Sequence, residues 1–239
     1  MGKKSSLALM ILLAVFLVAV LFVSVKEDRM VPDIVNGMSL ATGARCDLGT
    51  VAHSYWHSTI DINLMTVYDP TNPSDKLLLI AGLKATLNGI AALNGRTPQL
   101  HNTTITDLVV NLTQHGSAIN GLQRLLANTQ REAVTTEIPA NYRGKPLLRM
   151  LTMPQLTIAH VELSVEPFGL KTTAKQLIKL VPMRFHFTSQ PINLSAVIHK
   201  VLAAVTIQAK HASSLDPNLR RCFINPITSS DRSANHGGL

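Results

Sequence analysis

Apolar and polar residues alternate with a period of two along several stretches of this chain, and each such stretch reads as a strand with one oily face. Over Thr59 to Val67, Ile60, Ile62 and Leu64 alternate with Asp61 and Asn63, and the run ends at Asp69-Pro70-Thr71-Asn72-Pro73-Ser74. Two prolines there forbid a ladder, and the Asp and Asn residues favour a turn. The pattern restarts over Leu77 to Leu87, with Leu83, Ala85 and Leu87 on one face and Lys84 and Thr86 on the other. From Ile105 to Leu112, Leu108, Val110 and Leu112 are apolar, and Asp107, Val109 and Asn111 lie between them.

After His115-Gly116-Ser117 the rhythm becomes helical, with Ile119, Leu122, Leu125 and Leu126 at spacings of three and four. Gly116 lets the chain turn, and Asn120 or Ser117 is the expected helix cap. Gln155 to Val165 is again β in composition, but Leu156 and Ile158 fall out of phase with Val161, Leu163 and Val165. A bulge near Ala159-His160 would restore the phase. Thr172 to Leu180 and Met183 to Phe187 read as extended segments, with Met183, Phe185 and Phe187 opposite Arg184 and His186. A longer helix follows, its stripe made by Leu194, Val197, Ile198, Val201, Leu202 and Val205, with Pro191, Asn193 and Ser195 as start signals. Val31 to Thr42 reads as a short amphipathic element, Arg45 to Val51 as a first strand of poor pattern, and Leu147 to Met153 as part of another.

The start of the chain changes the picture. Leu7 to Val25 contains no polar residue but Ser24, and as a helix it would extend roughly 28 Å, close to the hydrocarbon thickness of a bilayer. A cleaved signal peptide competes with an anchor, since Lys3 and Lys4 resemble a basic n-region. The apolar run exceeds the usual h-region, however, and its exit lacks a small-x-small cleavage site, so an uncleaved signal anchor is expected. Lys3 and Lys4 then stay in the cytoplasm and the rest lies across the membrane. The expected organisation is a cytoplasmic tip and transmembrane anchor over 1–25, a β-groove domain over 26–211 and a polar tail over 212–239. The expected fold class is mainly β with α: an N-terminal transmembrane helix, then a curved antiparallel β-sheet forming a groove, with a short middle helix and a C-terminal amphipathic helix. Helices 119–130 and 194–209 are the only covers for the sheet's apolar face.

In 239 residues with 46% hydrophobic content there is enough apolar side chain for a sizeable core. The net charge of +8 is scattered and only 4% of residues are aromatic, so nucleic acid is not an expected partner. Cys46 and Cys222 stand near the two ends of the expected exported part. In an oxidising compartment they form a possible disulfide, and isolated semi-buried thiols are the equal alternative. His53 and His57 have the HxxxH spacing, but in a strand they stand roughly 13 Å apart, so no metal is expected and Tyr55 and Trp56 read as rim residues. Sequons at Asn102, Asn111 and Asn193 carry weight only in a eukaryotic secreted chain. With no nucleophile elbow and no phosphate loop, neither an enzyme nor a cofactor is expected.

The order of elements resembles the AsmA-like family of Gram-negative envelope proteins over roughly residues 1 to 211. The resemblance is carried by YDPTNPSDKLL, AGLKATLNGIAAL, TTITDLVVNLTQHGSAINGLQRLL, PQLTIAHVELSV, LVPMRFHF and PINLSAVIHKVLAAVTIQ. It implies an inner-membrane anchor, a periplasmic β-groove that holds lipid acyl chains, and a role in envelope lipid homeostasis or transport. Long members repeat the β unit, whereas this chain holds about one.

Two functions are therefore weighed. One is a single-pass protein of the bacterial inner membrane with a periplasmic module that binds phospholipid or another envelope lipid. Its lipid-facing residues would be Leu83, Ala85, Leu87, Leu108, Val110, Leu112, Val161, Leu163, Val165, Phe185 and Phe187. The alternative is a non-enzymatic structural or assembly subunit that docks another envelope protein through a β edge or a helix. The facing of the strand over 105–112 yields a test: in urea unfolding, Val110→Asp destabilises the domain and Asn111→Asp is mild, and equal tolerance of both refutes the assignment.

Overall fold

The computed structural model describes residues 30–54, 58–88, 97–114, 119–135, 148–167, 176–215, 220 and 223. Three helices are present among them: α1 over 30–42, α2 over Asn120–Val134 and α3 over Leu194–His211. The strands are β1 (Cys46–Leu48), β2 (Val51–Ser54), β3 (Thr59–Tyr68), β4 (Lys76–Leu87), β5 (Leu100–Gln114), β6 (Met150–Leu151), β7 (Gln155–Pro167), β8 (Gln176–Leu180), β9 (Met183–His186) and β10 (Ile192–Asn193). Eight of them make one open sheet in the order β1-β3-β4-β5-β7-β8, with β2 also on β3 and β9 also on β7, and β6 pairs with β10 in a small ribbon.

β3 and β4 form the expected hairpin. Asp69 Oδ1 accepts hydrogen bonds from Thr71 N, Thr71 Oγ1 and Asn72 N, which closes the turn around its prolines. The sheet departs from the expected antiparallel groove at its centre, where β5 and β7 run parallel, with Ile105 beside Ile158 and Val110 beside Leu163. Parallel neighbours cannot be joined by a hairpin and need a long crossover. Here residues 115–154 supply it, and α2 lies within them. The fold is accordingly a mixed α/β architecture with an open mixed sheet.

The same face that was expected to form a groove is the protein's own core. Ile34, Met38 and Ala41 of α1, Leu122 and Leu125 of α2, and Val197, Leu202 and Val205 of α3 belong to one buried cluster with the inward residues of the sheet. Thr42 O at the end of α1 accepts from Asn128 Nδ2 of α2. Thr129 Oγ1 of α2 lies 3.2 Å from His199 Nδ1 of α3. α3 begins at the expected signal, with Asn193 Oδ1 accepting from Ser195 N. α2 does not: its N-cap is Ile119, with no side-chain cap, and Asn120 is already inside the helix. The Asp69 carboxylate, brought by the β3–β4 turn, stands against Gly121 in that first turn instead, where a negative charge favours the helix. Ser117 lies outside the described residues.

No bulge forms at Ala159-His160, where β7 keeps one register with β5; the phase slip there is instead one station of a crease that crosses four strands. Inward positions are three residues apart there in every strand: Ile62 and Met65, Leu83 and Ile80, Ile105 and Leu108, Ile158 and Val161. Leu64, Ala81, Asp107 and His160 form the row between them, on the other face. Gly82 has φ 61° at this level, and a Cβ on it would sit 2.5 Å from Thr106 Oγ1, so the crease passes through a residue that tolerates the backbone.

The single-pass anchor, the inner-membrane location and the periplasmic placement are corrected with the fold. Among the described residues no helix is long and apolar enough to cross a membrane. α3 spans 18 residues but carries His199, Lys200, Gln208 and Lys210 and turns its apolar stripe to the core. Leu7 to Val25, on which the anchor rested, lies outside the described residues. So does most of the tail, although Leu215 and Phe223 are buried in the core cluster.

Gly37 tests how tightly α1 is seated. A Cβ there would stand 2.1 Å from the Leu148 carbonyl oxygen, a backbone atom held by the bond from Leu148 N to Asp33 O. Glycine to alanine in a helix ordinarily stabilises by about 1 kcal/mol. Gly37→Ala is expected to lower the unfolding free energy by about 2 kcal/mol instead, measured by urea denaturation, because the contact cannot relax without shifting main chain.

Candidate docking edge

The crease decides the form of both sheet margins. Along β3, β1 pairs with Met65–Val67 and β2 with Thr59–Ile62, and the chain breaks between them at Gly49-Thr50, opposite Asn63-Leu64. Along β7, β9 pairs with Gln155–Ile158 and β8 with Val161–Val165, and the chain breaks at Val181-Pro182, opposite Ala159-His160. Pro182 cannot donate to a ladder, so its place at this break follows from its chemistry. Each margin is thus two short strands laid end to end, a form that limits edge pairing.

The two margins differ in surface chemistry. The β1–β3 side is polar and charge-balanced. Arg45 pairs with Asp47 at 2.7 Å and lies over the Tyr68 ring, Tyr68 donates to Asp47, and Lys84 pairs with Asp61. The Arg45 hydrogen bond, followed by that of Tyr68, holds the Asp47 carboxyl below its usual range, and the same bond raises the Tyr68 phenol.

On the other side β8 pairs only with β7 among the described strands. Its inward residues Ile178 and Leu180 join the core, whereas Leu177 and Lys179 point away. Leu177, Val181 and Ile207 are 62%, 68% and 56% exposed, and all three lie on this flank, on β8, at its end and on α3. α3 is tied along the margin by side chains: Gln208 Oε1 accepts from Val181 N, and Lys200 Nζ donates to His186 O while sitting over the Phe187 ring. What this flank offers is main-chain pairing on one side, aliphatic contacts and cations.

The residues expected to face lipid are brought together, but inside the protein. Ala85, Leu108, Val110, Leu112, Val161, Leu163, Val165 and Phe185 are buried in the core cluster, and Leu83, Leu87 and Phe187 pack against it. A lipid chain has no place among them without displacing α2 or α3, and the lipid-transport reading is withdrawn on that ground. Asn111 faces away, its Nδ2 donating to Lys76 O. His53 sits in β2, extended rather than helical, and His57, Tyr55 and Trp56 lie outside the described residues. Leu177, Val181 and Ile207 were not singled out from the pattern. The signal was present in the antiphase of Leu177 against Ile178 and Leu180.

Cys46 is a buried free thiol, 3.7 Å from both Thr42 Oγ1 and Ala44 O, and Cys222 lies outside the described residues. Burial pushes the thiol pKa up from 9.0 to about 11. The neutral thiol is therefore kept in the folded state while the unfolded chain ionises, so stability present below pH 9 is lost as pH rises towards 11. Relative to Cys46→Ala, the natural chain is expected to lose roughly 3 kcal/mol across that window in urea titrations at fixed pH. At neutral pH, thiol reagents should label Cys46 only on unfolding.

Comparison with family models, with curated proteins and with solved structures finds no match to this chain.

Proposed function

We propose that this chain is a non-catalytic docking subunit that receives an extended segment of a partner protein along the β8–α3 flank. The observation that carries the reading is the conjunction of one-sided pairing in β8, among the described strands, with the exposed aliphatic residues Leu177, Val181 and Ile207. A strand added to such an edge gains affinity from main-chain hydrogen bonds and specificity from the side chains that flank it. The seating of the helices on the sheet favours this reading over lipid carriage, because the apolar face is filled by protein side chains. In this reading the AsmA-like resemblance is one of element order, a strand entering a helix and a closing helix, without the groove.

Native mass spectrometry of the full chain purified from its own cells is expected to show a stoichiometric protein complex. The double substitution Leu177→Ser, Val181→Ser should abolish that complex while changing stability by no more than about 0.5 kcal/mol, since both positions are exposed. Unchanged yield in the double variant, or co-purifying phospholipid in place of a protein, overturns the reading.

A further inference from the structure

From Pro167 to Leu215 the sequence contains no aspartate or glutamate. Within the described part of that run stand Lys179, Arg184, Lys200 and Lys210, together with His186, His199 and His211. The run builds β8, β9 and α3, so a single sign of charge is gathered on one margin of the sheet. None of the four lysine and arginine side chains belongs to an ion pair among the described residues. The nearest opposite charge by register is Glu162 of β7, directly across from Lys179. The far margin behaves differently, with Arg45 against Asp47 and Lys84 against Asp61.

Lys179 and Arg184 lie on the outward side of β8 and β9, the side on which Leu177 also projects. An occupant of this edge therefore meets alternating aliphatic and cationic positions at strand spacing. We propose that the partner segment docked on β8 is an acidic, apolar extended peptide, its carboxylates set against Lys179 and Arg184 and its aliphatic side chains against Leu177 and Val181. This inference rests on the docking reading above and adds the chemistry of the occupant. Charge complementarity of this kind selects partners and speeds encounter.

A nucleic acid would also be drawn to the cations, but among the described residues the large apolar side chains most exposed on this flank are aliphatic, and Phe187 is half-buried beneath Lys200, whereas single strands are bound by stacking on aromatic rings. The peptide is therefore favoured and the nucleic acid becomes an outcome of the test.

The probes are a fluorescent peptide of about eight residues with valine and glutamate taking turns at every second position and serine between them, so that both types share one face, its counterpart with lysine in place of glutamate, and mixed-sequence single-stranded RNA, each titrated against the full chain. The glutamate peptide is expected to bind at least about tenfold more tightly than the lysine peptide. That preference should shrink at about 0.5 M salt and reverse in the variant Lys179→Glu, Arg184→Glu, whose fold is checked by circular dichroism. Binding should be lost in Leu177→Ser, Val181→Ser, which removes the aliphatic contacts and leaves the charge of the flank unchanged. Equal binding of the two peptides, binding of neither, tighter binding of RNA, or binding indifferent to these substitutions overturns the inference. The complex described above is measured without these probes: if it forms and depends on Leu177 and Val181 while the peptides show no charge preference, the docking reading stands and only the occupant's chemistry falls.

Discussion

The parallel pairing of β5 with β7 is the constraint from which the rest of this architecture follows. Two parallel neighbours at the centre of a sheet must be connected over one of its faces. The connection brings α2 over the inward residues Leu108, Val110 and Leu112, with Leu122 and Leu125 buried in the same cluster. α3, tied to α2 through His199 and Thr129 and through Asn193 to the Glu132 carbonyl, completes the cover. Had β5 and β7 been joined by a hairpin, α2 would not have been delivered there, and an exposed concave face would have been a reasonable outcome. A chain-direction choice at one strand pair thus separates a lipid groove from a filled core.

Local structure was largely written in the residue pattern. The alternation over 59–67, 77–87 and 105–112 corresponds to β3, β4 and the centre of β5, and the stripe from Leu194 to Val205 corresponds to α3, complete with its Asn193 cap. Periodicity reports which residues share a face, but it says nothing about which strand lies alongside or in which direction. The parallel pair was invisible for that reason. Likewise, an apolar strip looks the same whether lipid or helix will cover it, so the identity of the buried set was legible and its use was not. The absence of a side-chain cap on α2 escaped because the anion beside its first turn is Asp69, some fifty residues earlier in the chain, where only tertiary folding brings it near. At the β8–α3 flank, Leu177 in an extended segment reads as one more interior residue until the strand is known to be a margin.

The phase slip at Ala159-His160 carried more information than a single strand could reveal. One strand out of step reads as a local bulge. Four strands out of step at one level, with Gly82 and Thr106 in close approach on that line, form a transverse fold in the sheet. The margins inherit it, which accounts for Gly49-Thr50 on one side and Val181-Pro182 on the other. Charge is partitioned along the same geometry, balanced at the margin built from the first half of the chain and of one sign at the margin built from the second.

The interruption at Val181-Pro182 has a consequence for how far assembly can proceed. A strand laid against β8 finds five residues to pair with before Val181-Pro182 and no continuous ladder beyond them. Gln208 already occupies the first amide past the end, so the newcomer terminates there. The ladder open to an added strand is therefore capped at one short segment, and main-chain bonds alone supply little of the affinity such a contact would need.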